Sequence, residues 1–199
     1  MVYVKSGVER MNKFKRKYKN RVEIHQCLGH SSHHTHQLKP LENMYNHVMH
    51  KLIIEQKIAT PEVIDPFARM CLWGTKRNDI NPKFLKQYTT HNKDALDFLC
   101  DLETFSSDLV ILDPPFSNRQ SEEEYGTSNL YTNPAYMVDL GLQCFRILKT
   151  KGYVIKCGYN TNPPYKGFKL IHVKIIQLGA CRNDILISLW QKVQAGLFD

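Results

Sequence analysis

The stretch Asp108-Leu109-Val110-Ile111-Leu112-Asp113-Pro114-Pro115-Phe116 decides how this chain is read. Its apolar, partly β-branched centre predicts a buried strand, and the two prolines stop that strand abruptly. In open α/β sheets, ligands and chemistry gather at the carboxyl edge, where an acid, two prolines and an aromatic ring are now presented. The prolines hold the backbone extended and remove two amide donors. The carboxylate of Asp113 and the carbonyl of Pro114 can then both accept hydrogen bonds beside the ring of Phe116. Two acceptors and a stacking face suit a flat base that carries an exocyclic amine.

Working outward, the chain predicts alternating helices and strands. Leu41, Met44, Tyr45, Val48, Leu52 and Ile53 recur at three- and four-residue spacing and predict a helix over 38–57. Short strands are expected at 63–64, 77–80 and 153–157, and helical segments at 82–88, 95–104 and 136–148. Two β-type runs, 169–178 and 184–192, read as an antiparallel hairpin. The segment 117–134 is long and polar for a connection, so it reads as a functional loop over the site. Ser117, Asn118, Arg119 and Gln120 are its expected nucleic-acid contacts. A second loop, 158–167, with Asn160, Asn162, Pro163-Pro164 and Tyr165, is expected to border the same cleft.

Several segments together resemble the amino-methyltransferases, which methylate N6 of adenine, N4 of cytosine or N2 of guanine in nucleic acids. Asp113-Pro114-Pro115-Phe116 resembles their motif IV. Val63-Ile64-Asp65-Pro66-Phe67-Ala68 resembles motif I, Asn78-Asp79-Ile80-Asn81-Pro82 motif II, and His91-Asn92-Lys93-Asp94-Ala95-Leu96 motif III, while Lys39-Pro40-Leu41 resembles motif X. The likeness covers roughly residues 36 to 193, in the order X, I, II, III, IV. It implies a Rossmann-like class I methyltransferase sheet of the α/β class, mostly parallel, with a C-terminal antiparallel hairpin. It implies S-adenosyl-L-methionine as cofactor, held by Lys39, Asp65, Pro66, Phe67, Ala68, Arg69, Asp79, Ile80, Asn81, Asp94 and Ala95. It implies catalysis by Asp113, Pro114, Pro115 and Phe116 on a base flipped from the duplex. An acid opening motif IV points to a site-specific DNA-methyltransferase acting on adenine N6, similar to small enzymes of phages and mobile elements. An RNA base (guanine N2 or adenine N6) and an inactive, methyltransferase-like nucleic-acid-binding protein are the alternatives.

The pattern departs from the family at motif I, where the glycine-rich turn and first helix are missing and motif II follows almost at once. Such a shortened first crossover leaves two readings open. Either a compact turn holds the cofactor carboxylate with Arg69 as its charge partner, or the cofactor site is degenerate.

Composition fits an ordinary globular domain, 38–193, with a basic, His-rich arm at 1–37 and a tail at 194–199. No apolar run reaches membrane length, and Met1 to Asn20 lack the apolar core of a secretory signal. Six scattered cysteines without a C-x-x-C pair suit reduced thiols and a cytoplasmic setting in a bacterial or phage-infected cell. The net charge of +8 concentrates in the arm, where Lys13, Lys15, Arg16 and Lys17 are candidates for following a phosphate backbone. His25, Cys27, His30, His33, His34 and His36 are metal-ligand types, but no second paired motif completes a finger, so no metal is assigned. Gln194, Leu197 and Phe198 resemble the peptide that binds the bacterial sliding clamp, a second expected partner beside DNA.

Overall fold

The run 108–112 lies in an inner strand of a seven-stranded sheet, with every residue buried. The computed structural model describes residues 21–26, 32–115, 117–126, 133–179 and 183–193. Its strands are β1 (Val22–Gln26), β2 (Val63–Asp65), β3 (Lys76–Arg77), β4 (Ser107–Leu112), β5 (Leu148–Gly158), β6 (Phe168–Gln177) and β7 (Ile185–Lys192). They lie in the order β1-β6-β7-β5-β4-β2-β3. Strands β3, β2, β4 and β5 run parallel, and β7 is antiparallel to both β5 and β6. The expected mostly parallel sheet with a C-terminal hairpin is therefore observed. The chain winds from β2 outward to β3, then returns to β4 and β5 on the other side. The switch point between β2 and β4 is where such sheets hold ligands.

Side chains of a strand alternate between faces, and two cores follow from that alternation. Leu109 and Ile111 of β4, with Tyr153, Ile155 and Cys157 of β5, face helix α1 (Lys39–His50). Leu41, Met44 and Val48 of α1 are almost fully buried there, each contributing about 1.5–3 kcal/mol by leaving water. The helix runs on through a wider π turn, Lys51–Glu55. Val110, Leu112 and Val154 face the other way, against helices α2 (Ala95–Cys100) and α4 (Pro134–Ile147). The ammonium of Lys192, buried at the end of β7, donates to the carbonyls of Phe145 (2.6 Å) and Leu148 (2.7 Å). It thereby caps the C-terminus of α4.

Several elements differ from expectation, each for a local reason. The helix expected at 82–88 is a single 3-10 turn, Pro82–Phe84, because Lys86 adopts a left-handed φ of 71° that a helix cannot accommodate. The segment 95–104 stays helical only to Cys100. The polar stretch 117–134 contains helix α3 (Asn118–Tyr125). Ser117 caps it by accepting from the Gln120 N–H at 3.2 Å, and Gly126 ends it at φ 67°. Residues 22–26, expected in the arm, form β1 and pair with β6 from Val22–Val173 to Gln26–Gln177. A 3-10 turn, Ser32–Gln37, then leads into α1. Among the described residues, no helix is long and apolar enough to cross a membrane.

Candidate active site

Strand β4 ends at the switch point, and its alternation aims Asp113 toward the α1 side, two residues beyond Ile111. Leu112 pairs with Lys156 in the β4–β5 register, which sets Cys157 beside Asp113. The Cys157 thiol and the Thr35 hydroxyl, from the turn before α1, both hydrogen-bond to the Asp113 carboxylate. Thr35 is 5% exposed.

The β2–β3 connection, 66–75, closes the site from below without a crossover helix. Arg69 takes the left-handed conformation itself, at φ 48°, where a glycine would relieve strain. Two devices hold this turn. The fully buried Asn78 donates to the carbonyls of Pro66 (3.2 Å) and Lys93 (3.0 Å), and its own carbonyl oxygens accept from the Ala68 and Lys93 N–H groups. Trp73 stacks on Tyr45 of α1 with ring centroids 4.8 Å apart.

A cavity of about 30 Å³ lies at the switch point, lined by Thr35, His36, Asp65, Phe67, Ala68, Arg69, Trp73, Asp113, Pro114, Pro115 and Gln120, among others. That volume holds about one water, so its walls must part for a larger guest. Three acids gather around it. Burial drives Asp65 up to about 8, with Asp113 and Asp79 adding repulsion. Burial likewise raises Asp113 to about 7, against the pull of the Thr35 and Cys157 donors and of Arg69. Asp79 is raised to about 6 by burial, opposed by the Asn81 amide and by Arg69. Its Oδ1 accepts from the Asn81 N–H at 2.8 Å, whereas the buried Oδ2 has no hydrogen-bond partner among the described residues. An orphaned buried carboxylate oxygen is a vacancy for a donor such as a hydroxyl.

A second cavity of about 520 Å³ opens on the α4 side. Leu112, Pro114, Pro115, Pro134, Met137, Val138, Lys156, Cys157, Tyr159, Asn160, Asn162, Pro163 and Pro164 contribute to its lining. The Lys156 ammonium donates to Asn160 Oδ1 (3.0 Å) and the Asn162 carbonyl (2.9 Å), fixing the 159–164 loop. Pro114 and Pro115 line both cavities. They form a common wall between an acid-lined space and an apolar one.

The structure thus brings Asp65, Phe67, Ala68, Arg69, Asp113, Pro114, Pro115 and Gln120 to one cavity, with Pro66, Asp79, Ile80 and Asn81 on the flanking turns. Lys39 is not among the lining residues: it pairs with Glu42 at 2.7 Å on the surface of α1. Asp94 caps α2 through the Leu96 N–H and accepts the Tyr136 hydroxyl at 2.8 and 2.9 Å, while Ala95 is core. Ser117 serves as a helix cap, and Arg119 pairs with Glu123 at 2.7 Å. Phe116, Lys13, Lys15, Arg16, Lys17, Cys27, His30, Gln194, Leu197 and Phe198 lie outside the described residues. Thr35, Trp73, Cys157 and Lys156 carry no sequence signal of their own. Only the strand register reveals Cys157.

No family model matches the sequence, and no curated protein matches it. Solved structures do match in fold. TrmN from Thermus thermophilus superposes with a TM-score of 0.51 at 14% identity, over 73% of this chain and 48% of TrmN. The N-methyltransferase NodS from Bradyrhizobium japonicum WM9, in complex with S-adenosyl-l-homocysteine, gives 0.49 at 9% identity, over 79% and 90% of the two chains. A SAM-dependent methyltransferase from Archaeoglobus fulgidus gives 0.45 at 15%, over 76% and 94%. Sheet order, switch point and terminal hairpin together make this the fold of the Rossmann-like class I methyltransferases.

Proposed function

We propose that the protein is an S-adenosylmethionine-dependent methyltransferase acting on the exocyclic amine of a nucleic-acid base, N6 of adenine in DNA. The observation that carries this reading is the Pro114-Pro115 wall shared by two cavities of opposite character, with Asp113 beside it in the smaller one. A group-transfer enzyme needs its donor and acceptor on either side of one short segment. The acid-rich cavity suits a cofactor bearing sulfonium and ammonium charges, with Arg69 for its carboxylate and Asp79 Oδ2 for a ribose hydroxyl. When bound, S-adenosylmethionine supplies an electrophilic methyl group. On the other side, prolines, Met137, Val138 and Tyr159 offer apolar faces to a flat base. Asp113 and the Pro114 carbonyl then accept from its amine and keep the nitrogen lone pair out of the ring. The arm residues Lys13, Lys15, Arg16 and Lys17 supply phosphate contacts, and the tail a clamp contact.

The test is incubation with S-adenosylmethionine and mixed DNA or RNA, followed by nucleoside mass spectrometry. N6-methyladenine in DNA is expected, and it should vanish in Asp113→Ala. A methylated cytosine, guanine or RNA product would reassign the target. Absence of any methylated nucleoside, together with no cofactor binding in calorimetry, would refute the enzymatic reading.

A further inference from the structure

We propose that Thr35 and Cys157 are positioning residues for the methyl transfer, orienting the Asp113 carboxylate from two different elements, so that the segment preceding α1 is part of the catalytic site. This rests on the function proposed above and adds to it two residues outside the Asp-Pro-Pro-Phe segment.

The argument begins with the sheet. Asp113 continues the Leu109–Ile111 face, and Cys157 ends the Tyr153–Ile155 face on the neighbouring strand, so both emerge on the α1 side. The turn Ser32–Gln37 immediately precedes α1 and brings the Thr35 hydroxyl down onto the same carboxylate. Burial and the adjacent acids push the Cys157 thiol upward, so it stays protonated and remains a donor. A carboxylate offers about four lone-pair sites. Two donors from the protein therefore fix its plane and leave sites for the amine. Rotation of an unheld carboxylate about its side-chain bonds would spoil that geometry. Both donors also favour the ionised form that accepts the amine.

The test uses the full-length protein and compares Thr35→Val, Thr35→Ser, Cys157→Ala and Cys157→Ser. Thr35→Val should lower kcat about tenfold or more, the effect of one hydrogen bond to a charged acceptor. Thr35→Ser should restore the rate, and Cys157→Ser should exceed Cys157→Ala. Independently of turnover, the Asp113 carboxyl followed by 13C NMR should titrate about one pH unit higher in Thr35→Val than in wild type. Circular dichroism and melting temperature confirm that each variant is folded. Two results would overturn the proposal: a Thr35→Val protein whose Asp113 titration is unmoved, or a serine variant as slow as the valine one. Tighter cofactor binding in Thr35→Val would also overturn it, since Thr35 would then be a latch on the closed cavity. A wild type that methylates nothing while the NMR shift is observed would refute the function and leave the hydrogen-bond roles intact.

Discussion

Replacing Gly141 by alanine should damage the target side of the site and spare the cofactor side. A Cβ built at Gly141 would stand 1.8 Å from the Pro164 carbonyl oxygen and 2.6 Å from its carbon. Ordinary contact begins at 3.4 Å, so one partner must retreat by 1.6 Å. Helix α4 cannot move easily, because Leu140, Cys144, Phe145 and Ile147 are all within 1% of complete burial. The yielding partner is the 159–164 loop, which rests on two hydrogen bonds from Lys156. Alanine in a helix brings back about 1 kcal/mol over glycine, whereas overpacking costs about 1–3 kcal/mol. The net loss of stability should therefore lie between nothing and about 2 kcal/mol, and the fold should survive. Activity should suffer more, since a misplacement of about 1 Å can lower a rate about 100-fold. Steady-state transfer of labelled methyl groups to nucleic acid should show kcat/KM reduced on that scale. Calorimetry should show unchanged affinity for S-adenosylmethionine, whose proposed cavity lies across the Pro114-Pro115 wall. Equal losses on both sides, or full activity with the shifted loop, would refute the assignment of the larger cavity to the target.

Asp79→Ala should weaken S-adenosylmethionine binding about tenfold or more, because the orphaned Oδ2 loses its proposed hydroxyl partner; unchanged affinity in titration calorimetry would misplace the ribose. Cofactor binding near pH 7 should release protons, since a cation beside Asp65 and Asp113 favours their ionised forms. Calorimetry in buffers of different ionisation enthalpy reads that number directly, and proton uptake would contradict it. The folded values of Asp79, Asp113 and Asp65 all lie above the unfolded value of about 3.9. Their contribution to stability is thus complete below about pH 4 and lost as pH rises through about 6, 7 and 8. The ligand-free protein should melt higher at pH 5.5 than at about pH 8.5, and Asp65→Asn should flatten that difference. Lys192→Met should cost about 1–3 kcal/mol by leaving the Phe145 and Leu148 carbonyls unpaired, which chemical denaturation will measure; a neutral result would mean that water replaces the ammonium.

What the sequence made legible was whatever depended on apolar pattern or on proline. The 108–112 run, the α1 stripe and the terminal hairpin were all readable, because burial on a sheet face or helix stripe imposes a period. The Asp113-Pro114-Pro115 edge was readable because proline restricts the backbone wherever it stands. Helix α3 was hidden by its charged composition, although Ser117 with Gln120 three residues on, and Gly126 beyond, mark both of its ends. Strand β1 was hidden by its polar, basic and histidine-rich surroundings. Arg69 was opaque for a different reason. Glycine advertises a left-handed backbone, whereas an arginine held there by Asn78 and the Tyr45–Trp73 stack gives no sign of it. Lys39 and Asp94 match the motifs by residue type, and what the sequence did not show is that Glu42 and Tyr136 engage them.

Pairing of β1 with β6 has a consequence for biosynthesis. The Arg21 guanidinium donates to the Leu170 carbonyl across 149 residues of chain, so β1 leaves the ribosome long before its partner β6. Non-local pairing of this kind is slow and must await the C-terminal hairpin. Until then Thr35, tethered just beyond β1, has no fixed place above Asp113. Assembly of the cavity around Asp113 is therefore a late event of folding.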